Sequence, residues 1–151
     1  MSIYNTPPHL FSFKSDNIIK CRVCHVYDGD TIHIVINYKN DIIRIVCRLY
    51  GIDTPEIVSV DNKVKAYAAR NRLIQLVTDW TDIELSNMES SRNHLFNDII
   101  SKNQKIIDVL LMDSDKYGRV LCNLYVDGQD INKILLNEGY CYEYFGGTKH
   151  K

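Results

Sequence analysis

No apolar run in this chain approaches the length of a membrane-spanning helix. The opening stretch, MSIYNTPPHLFSFKSDNIIK, also lacks the continuous apolar segment of a secretory leader. The five cysteines are an odd number, so a complete disulfide framework is not expected either. These absences lead to the expectation of an intracellular, cytoplasmic protein with no membrane contact and no obligate protein partner evident. Zinc chemistry lacks its signature as well. Cys21 and Cys24 form a CxxC inside IIKCRVCHVY, which reads as a strand, where residues three apart face opposite sides. No second CxxC follows, and His9, His25, His33, His94 and His150 show no ligand spacing. The cysteines are therefore read as buried thiols. Excess positive charge is missing too: the formal net charge is −1, against what a polyanion-binding surface calls for.

What is present suits one globular domain. The 151 residues, 45% hydrophobic and 25% charged, are enough for a real core. Residues 1–17 carry Pro7-Pro8 and no periodicity, and are expected to be a mobile or loosely packed extension to a domain at 18–151. From Ile18 onward the pattern is β. IIKCRVCHVY, TIHIVINY and DIIRIVCRLYGI predict three strands. In the third, Ile43, Ile45, Cys47 and Leu49 share the core face, which leaves Arg48 pointing outward. Ala66, Ala69, Leu73, Val77 and Trp80 then recur at helical spacing, with Ser59 or Asp61 as N-cap. Residues 81–104 are polar and irregular and read as an insertion with a short helix near its end. KIIDVLLM and RVLCNLYV predict two more strands, joined by the turn DSDKYG. A short helix, QDINKILLNE, follows and stops at Gly139. The fold class is thus mainly β with helices (α+β): a five-stranded Greek-key OB-fold barrel, with one helix after the third strand and another after the fifth.

Two acidic turns stand out on this framework. Asp28-Gly29-Asp30 separates the first two strands, and Asp53 and Glu56 of GIDTPEI follow the third. Each turn alone is ordinary, since Asp-Gly and Asp-Thr-Pro are common turn formers. Brought together, these carboxylates repel unless a cation lies among them. Oxygen ligands without histidine or cysteine select Ca²⁺ or Mg²⁺ over zinc. Arg48 leads into the second turn and Arg119 follows DKYG. Carboxylates, a cation and guanidinium groups are the parts needed for phosphodiester hydrolysis.

In order along the chain, YDGDTIHI, CRLYGIDTPE, KAYAARNRL, DKYGRVLCNLYVDGQDINKILLNEGY and YFGGTK resemble the staphylococcal nuclease (thermonuclease) family. The resemblance implies an OB-fold that cleaves DNA and RNA with Ca²⁺ as cofactor and leaves 3′-phosphate ends. It implies that Asp30, Asp53 and the carbonyl of Thr54 hold the metal, with Asp28 behind them. Glu56 would be the general base, and Arg48 and Arg119 would bind and stabilise the phosphate. Lys116 and Tyr117 would contact a terminal phosphate. The other reading is an inactive OB-fold module that binds single-stranded nucleic acid. Setting aside Asp28, Asp30, Asp53 and Glu56 moves the formal charge from −1 to +3, so the rest of the surface is mildly basic.

Overall fold

Alternating apolar residues build a meander of three antiparallel strands, β1 (Ile19–Val26), β2 (Thr31–Tyr38) and β3 (Asp41–Leu49). The structure is a computed structural model that describes Asn5 and residues 12–55, 63–80 and 99–146. Ile32, Ile34 and Ile36 of β2 and Ile45, Cys47 and Leu49 of β3 turn inward and are buried. The β2–β3 loop is two residues, Lys39 and Asn40, both at positive φ (49° and 69°), as a tight hairpin with right-handed twist requires. In β1 a bulge between Val23 and His25 resets the alternation, so that Val23 and Val26 both enter the core.

A second hairpin, β5 (Ile107–Ser114) and β6 (Val120–Val126), completes the barrel. β5 pairs with β1, and β6 runs parallel to β3 with Leu49 opposite Cys122. The strand order β3-β2-β1-β5-β6, with β3 returning to β6, closes the five-stranded barrel expected from the sequence. Cys21, Cys47 and Cys122 are buried free thiols in its interior. Burial pushes the Cys21 thiol up to about 12, and the hydrogen bond with Cys47 together with burial holds Cys122 well above its ordinary value.

Two helices cover the barrel. α1 (Lys63–Val77) buries Ala66, Ala69, Leu73 and Val77 as its periodicity predicts. Its expected caps, Ser59 and Asp61, lie outside the described residues. α2 (Ile131–Asn137) starts at Asp130, whose side chain accepts the Lys133 N–H at 3.1 Å. It follows β7 (Gln129–Asp130), which pairs with β6. Gly139 (φ 82°) ends it, with Tyr140 N–H donating to the Leu135 carbonyl at 3.0 Å. Arg72 of α1 grips Glu138 through two N–H groups at 2.7 and 3.1 Å, tying the helices together. Among the described residues no helix is long and apolar enough to cross a membrane.

The structure adds detail to the sequence reading in three places. The third apolar run breaks at Gly51 (φ 81°), and the short β4 (Ile52–Asp53) pairs instead with β8 (Tyr142–Glu143). Of the expected insertion, residues 81–98 lie outside the described residues; 99–102 are helical, and Gln104 bridges to Thr78. Part of the expected loose extension is docked: Ser15 N–H donates to the Leu111 carbonyl at 3.1 Å, and its hydroxyl accepts Leu111 N–H at 3.0 Å.

One buried amide holds α2 to the barrel. Asn132 Nδ2 donates to the carbonyls of Tyr50 (2.9 Å) and Cys122 (3.2 Å), while Oδ1 accepts Leu124 N–H at 3.4 Å. Asn132→Ala is expected to cost about 1–3 kcal/mol by leaving these groups unpaired. A lower denaturant midpoint with unchanged slope would show it; an unchanged midpoint would mean that the amide contributes nothing net.

Candidate active site

The β1–β2 loop carries Asp28 and Asp30, and Gly29 decides where they go. A Cβ on Gly29 would lie 2.7 Å from Thr54 Cγ2 and 2.8 Å from Ala69 Cβ. Gly29 does not take a positive φ, so the glycine serves close approach rather than a left-handed turn. The loop is thereby wedged between α1 and the exit of β4. Asp30 Oδ2 accepts the Thr54 N–H at 2.9 Å, and Oδ1 accepts the Thr31 hydroxyl at 3.1 Å. Asp28 Oδ1 accepts the N–H groups of Asp30 (3.1 Å) and Thr31 (2.9 Å), fixing the turn from within.

Arg48 joins the two acidic turns. Its place on β3 turns it away from the barrel interior, as the alternation predicts, yet it is covered and only 6% exposed. Nη1 donates to the carbonyls of Leu49 (3.2 Å) and Ile52 (2.9 Å), bracing the Gly51 corner. Nη2 donates to Asp53 Oδ1 at 3.2 Å and lies 3.7 Å from Asp30 Oδ2. The Tyr144 ring covers the guanidinium at 5.3 Å.

Arg119 approaches from the β5–β6 loop. Asp115 holds it there, accepting its Nε at 2.9 Å and its backbone N–H at 3.0 Å. Nη1 of Arg119 donates to Thr31 Oγ1 at 3.2 Å, so Thr31 links this arginine to Asp30. Among the described residues, Arg48 Nε and Arg119 Nη2 make no hydrogen bond. Both arginines line one cleft of about 760 Å³ with Lys116, Tyr117, Tyr50, Tyr144 and Phe145. Tyr117 is exposed, its ring 5.2 Å from Lys116 Nζ and 5.5 Å from the Arg119 guanidinium. Arg48, Arg119, Asp28, Asp30, Asp53, Thr54, Lys116 and Tyr117 are thus brought around one corner of the barrel. Glu56 lies outside the described residues.

The electrostatics favour a cation. One guanidinium, Arg48, faces the two buried carboxylates of Asp30 and Asp53. Burial, then the charge of Asp30, push the Asp28 carboxyl up to about 7. The donors at the corner are oxygens, including Thr54 Oγ1, which is buried without a hydrogen-bond partner among the described residues. A hard divalent cation fits that set. Among the described residues no three His, Cys, Asp or Glu side chains form a ready metal shell. A cation here would therefore rest on Asp30 and Asp53 and need hydroxyl, carbonyl or water oxygens to complete it.

Sequence reasoning missed Asp115, Thr31 and Tyr50. The pairing Thr31 opposite Arg48 follows from the two-residue β2–β3 loop, so Thr31 was within reach of a register count. Asp115 was visible only as part of a polar loop. Tyr50, edge-on to Phe145 at 5.6 Å, depends on the break at Gly51.

Residues 46–151 match the family model described as staphylococcal nuclease homologue. The chain is 28% identical over 148 residues to "Endonuclease YncB" of Bacillus subtilis, covering 95% of this chain and 57% of that protein. It is 28% identical over 137 residues to an uncharacterised protein, MJ1439, of Methanocaldococcus jannaschii, covering 86% and 61% respectively. To the "SPbeta prophage-derived endonuclease YokF" of B. subtilis it is 30% identical over 128 residues, covering 82% and 34%. The chain thus spans about a third to three fifths of the length of these relatives.

The Asp28 shift makes stability depend on pH. Its folded-state value of about 7 lies above the ordinary 3.8, so folding favours the protonated acid. That contribution is complete below pH of about 4 and is lost as pH rises to about 7. Asp28→Asn still offers Oδ1 to both N–H groups. In EDTA it should flatten this decline and raise the Tm at pH 8 by roughly 2–4 °C or more. Identical pH dependence in both proteins would mean that folding does not shift the Asp28 carboxyl.

Proposed function

Because the chain belongs to the staphylococcal nuclease homologues, we propose that it hydrolyses phosphodiester bonds in DNA and RNA with little sequence specificity, using Ca²⁺ and leaving 3′-phosphate ends. The names of two relatives, both endonucleases, favour this reading. The observation that carries it is the convergence of Arg48 and Arg119, each with an N–H that is unused among the described residues, on one cleft beside Asp30 and Asp53. Two guanidinium groups held by protein carbonyls and carboxylates are preorganised donors for a phosphate, and their help grows as charge builds on its oxygens.

Asp30 and Asp53, with oxygens of Thr54, are the residues that would hold the cation, and Asp28 would fix their loop from behind. The cation would supply charge neutralisation at the phosphate. Glu56, assigned from its place in DTPE, would take a proton from the attacking water. The water oxygen would bond to phosphorus and the P–O5′ bond would break, leaving the phosphate on the 3′ oxygen, while the departing 5′ oxygen takes a proton from solvent to become a hydroxyl. Arg48 and Arg119 would stabilise the extra negative charge in between. Lys116 and Tyr117, on the exposed rim, would meet a terminal phosphate.

The test is cleavage of single-stranded DNA in millimolar Ca²⁺ against EDTA. Glu56→Gln should lower the rate by roughly 10²- to 10⁴-fold, and Arg119→Ala by at least roughly 10³-fold. Arg48→Ala should do the same but also lower stability, since it unpins the Gly51 corner; circular dichroism separates the two losses. Asp53→Ala should raise the Ca²⁺ requirement. Changes of only a few-fold at Glu56, Arg48 and Arg119 would sink the mechanism. Tight binding without cleavage in any divalent cation would leave the binding-module reading instead.

A further inference from the structure

The cleft opens at one end of a sheet face whose side chains form a graded series. On the outward side of β1–β2–β3 the strand register stacks three rows. The first, at the cleft, sets Thr31 opposite Arg48. The second sets His25, His33 and Val46 side by side, and the third sets Arg22, Val35 and Arg44 side by side. Successive rows lie two residues apart, or about 7 Å. Arg44 is therefore roughly 13 Å down the strand from Arg48.

Each row offers something different. In the second, the His25 and His33 rings meet edge to face at 4.9 Å, with Val46 exposed beside them. In the third, Arg44 is exposed, and its Nε donates to His33 Nδ1 at 2.9 Å. Arg22 Nη1 donates to Gln104 Oε1 at 2.8 Å. Neither arginine is paired with a carboxylate among the described residues. No acid stands at an outward position of β2 or β3. The neighbouring acid of β5, Asp108, is already held by Lys20 at 2.7 Å.

We propose that this face is a binding track for single-stranded nucleic acid, carrying the stretch of substrate that runs out of the cleft, with the histidine row against a base and the Arg22–Arg44 row against a phosphate. Rings that tolerate any base and guanidinium groups that grip the backbone are how sequence-neutral strand binding works. In OB-folds the face of the second and third strands is where oligonucleotides lie. The occupant follows from charge complementarity and from continuity with the cleft. The proposal rests on the nuclease reading of that cleft and adds a length dependence to it: a substrate too short to leave the cleft gains nothing from the track.

The test uses fluorescein-labelled thymidylate strands, a trimer and a dodecamer, with the full chain. Affinity is read by anisotropy in EDTA at several salt concentrations, and cleavage is read separately in Ca²⁺. Arg44→Ala should weaken dodecamer binding by about five- to tenfold and reduce the single-strand salt slope by about 0.7, leaving the trimer at its wild-type affinity. Val46→Asp places a negative charge in the middle row, beside His33, and should weaken the dodecamer at least as much. The track is wrong if these variants treat both lengths as wild type does, or lose both equally. Cleavage with no length-dependent effect would remove the track and keep the nuclease. Length-dependent binding without cleavage in Ca²⁺ would do the reverse. Wild-type protein that binds neither strand and cleaves neither in Ca²⁺ would remove both.

Discussion

A single buried guanidinium fixes the working corner of this protein. Arg48 reaches the backbone carbonyls of Leu49 and Ile52 and the carboxylate of Asp53, and lies close to Asp30. Those contacts span both sides of the Gly51 turn, where β3 leaves the barrel and β4 begins. Without a charge there, two buried carboxylates would stand uncompensated, at a cost that burial magnifies. With it, the two acidic turns become one unit. The same residue is thus a structural brace and a candidate phosphate ligand. Loss of activity on its removal, taken alone, would therefore say little about chemistry.

The barrel was legible in the sequence because β2, β3, β5 and β6 keep a period of two and each turn carries its own chemistry. Ile32-His33-Ile34-Val35-Ile36 could be read only one way, and Gly139 marked the end of α2. The breaks were not legible. The bulge at Cys24 and His25 shifts the β1–β2 register with no turn residue to announce it. The burial of Arg48 comes from Tyr144 folding over it, and Tyr144 is brought there by β8 pairing with β4, some ninety residues away in sequence. Long-range cover of this kind leaves no periodic trace. The acids of the site were visible as motifs. That Asp28, Asp30 and Asp53 meet at all depends on Gly29, whose lack of a side chain admits Thr54 and Ala69 to the turn.

Net charge was a poor guide for a related physical reason. A count over the chain gives every ionised group the same weight. Here two carboxylates are buried against one guanidinium, Asp115 is committed to Arg119, and Asp108 to Lys20. What a polyanion would meet is set by the groups left over on one face. On the outward side of β2 and β3, beyond Arg48, those are Arg44 and neutral side chains. A chain with formal charge −1 can therefore present a locally basic path without being a basic protein.

The barrel's thiols give it a built-in clock. Cys47 and Cys122 have no exposed surface, Cys21 has 3%, and Cys24 alone among the strand cysteines is partly open. A thiol reagent added to the native protein therefore meets Cys24 at once, whereas the three interior sulfurs become reactive only when β3 parts from β6 or β1 from its neighbours. The slow phase of such labelling would time the opening of the closed sheet in native buffer, without denaturant or an introduced probe. A cation that grips the corner where Arg48 meets Asp30 and Asp53 should lengthen that interval, which links occupancy at one end of the barrel to the lifetime of the seam that closes it.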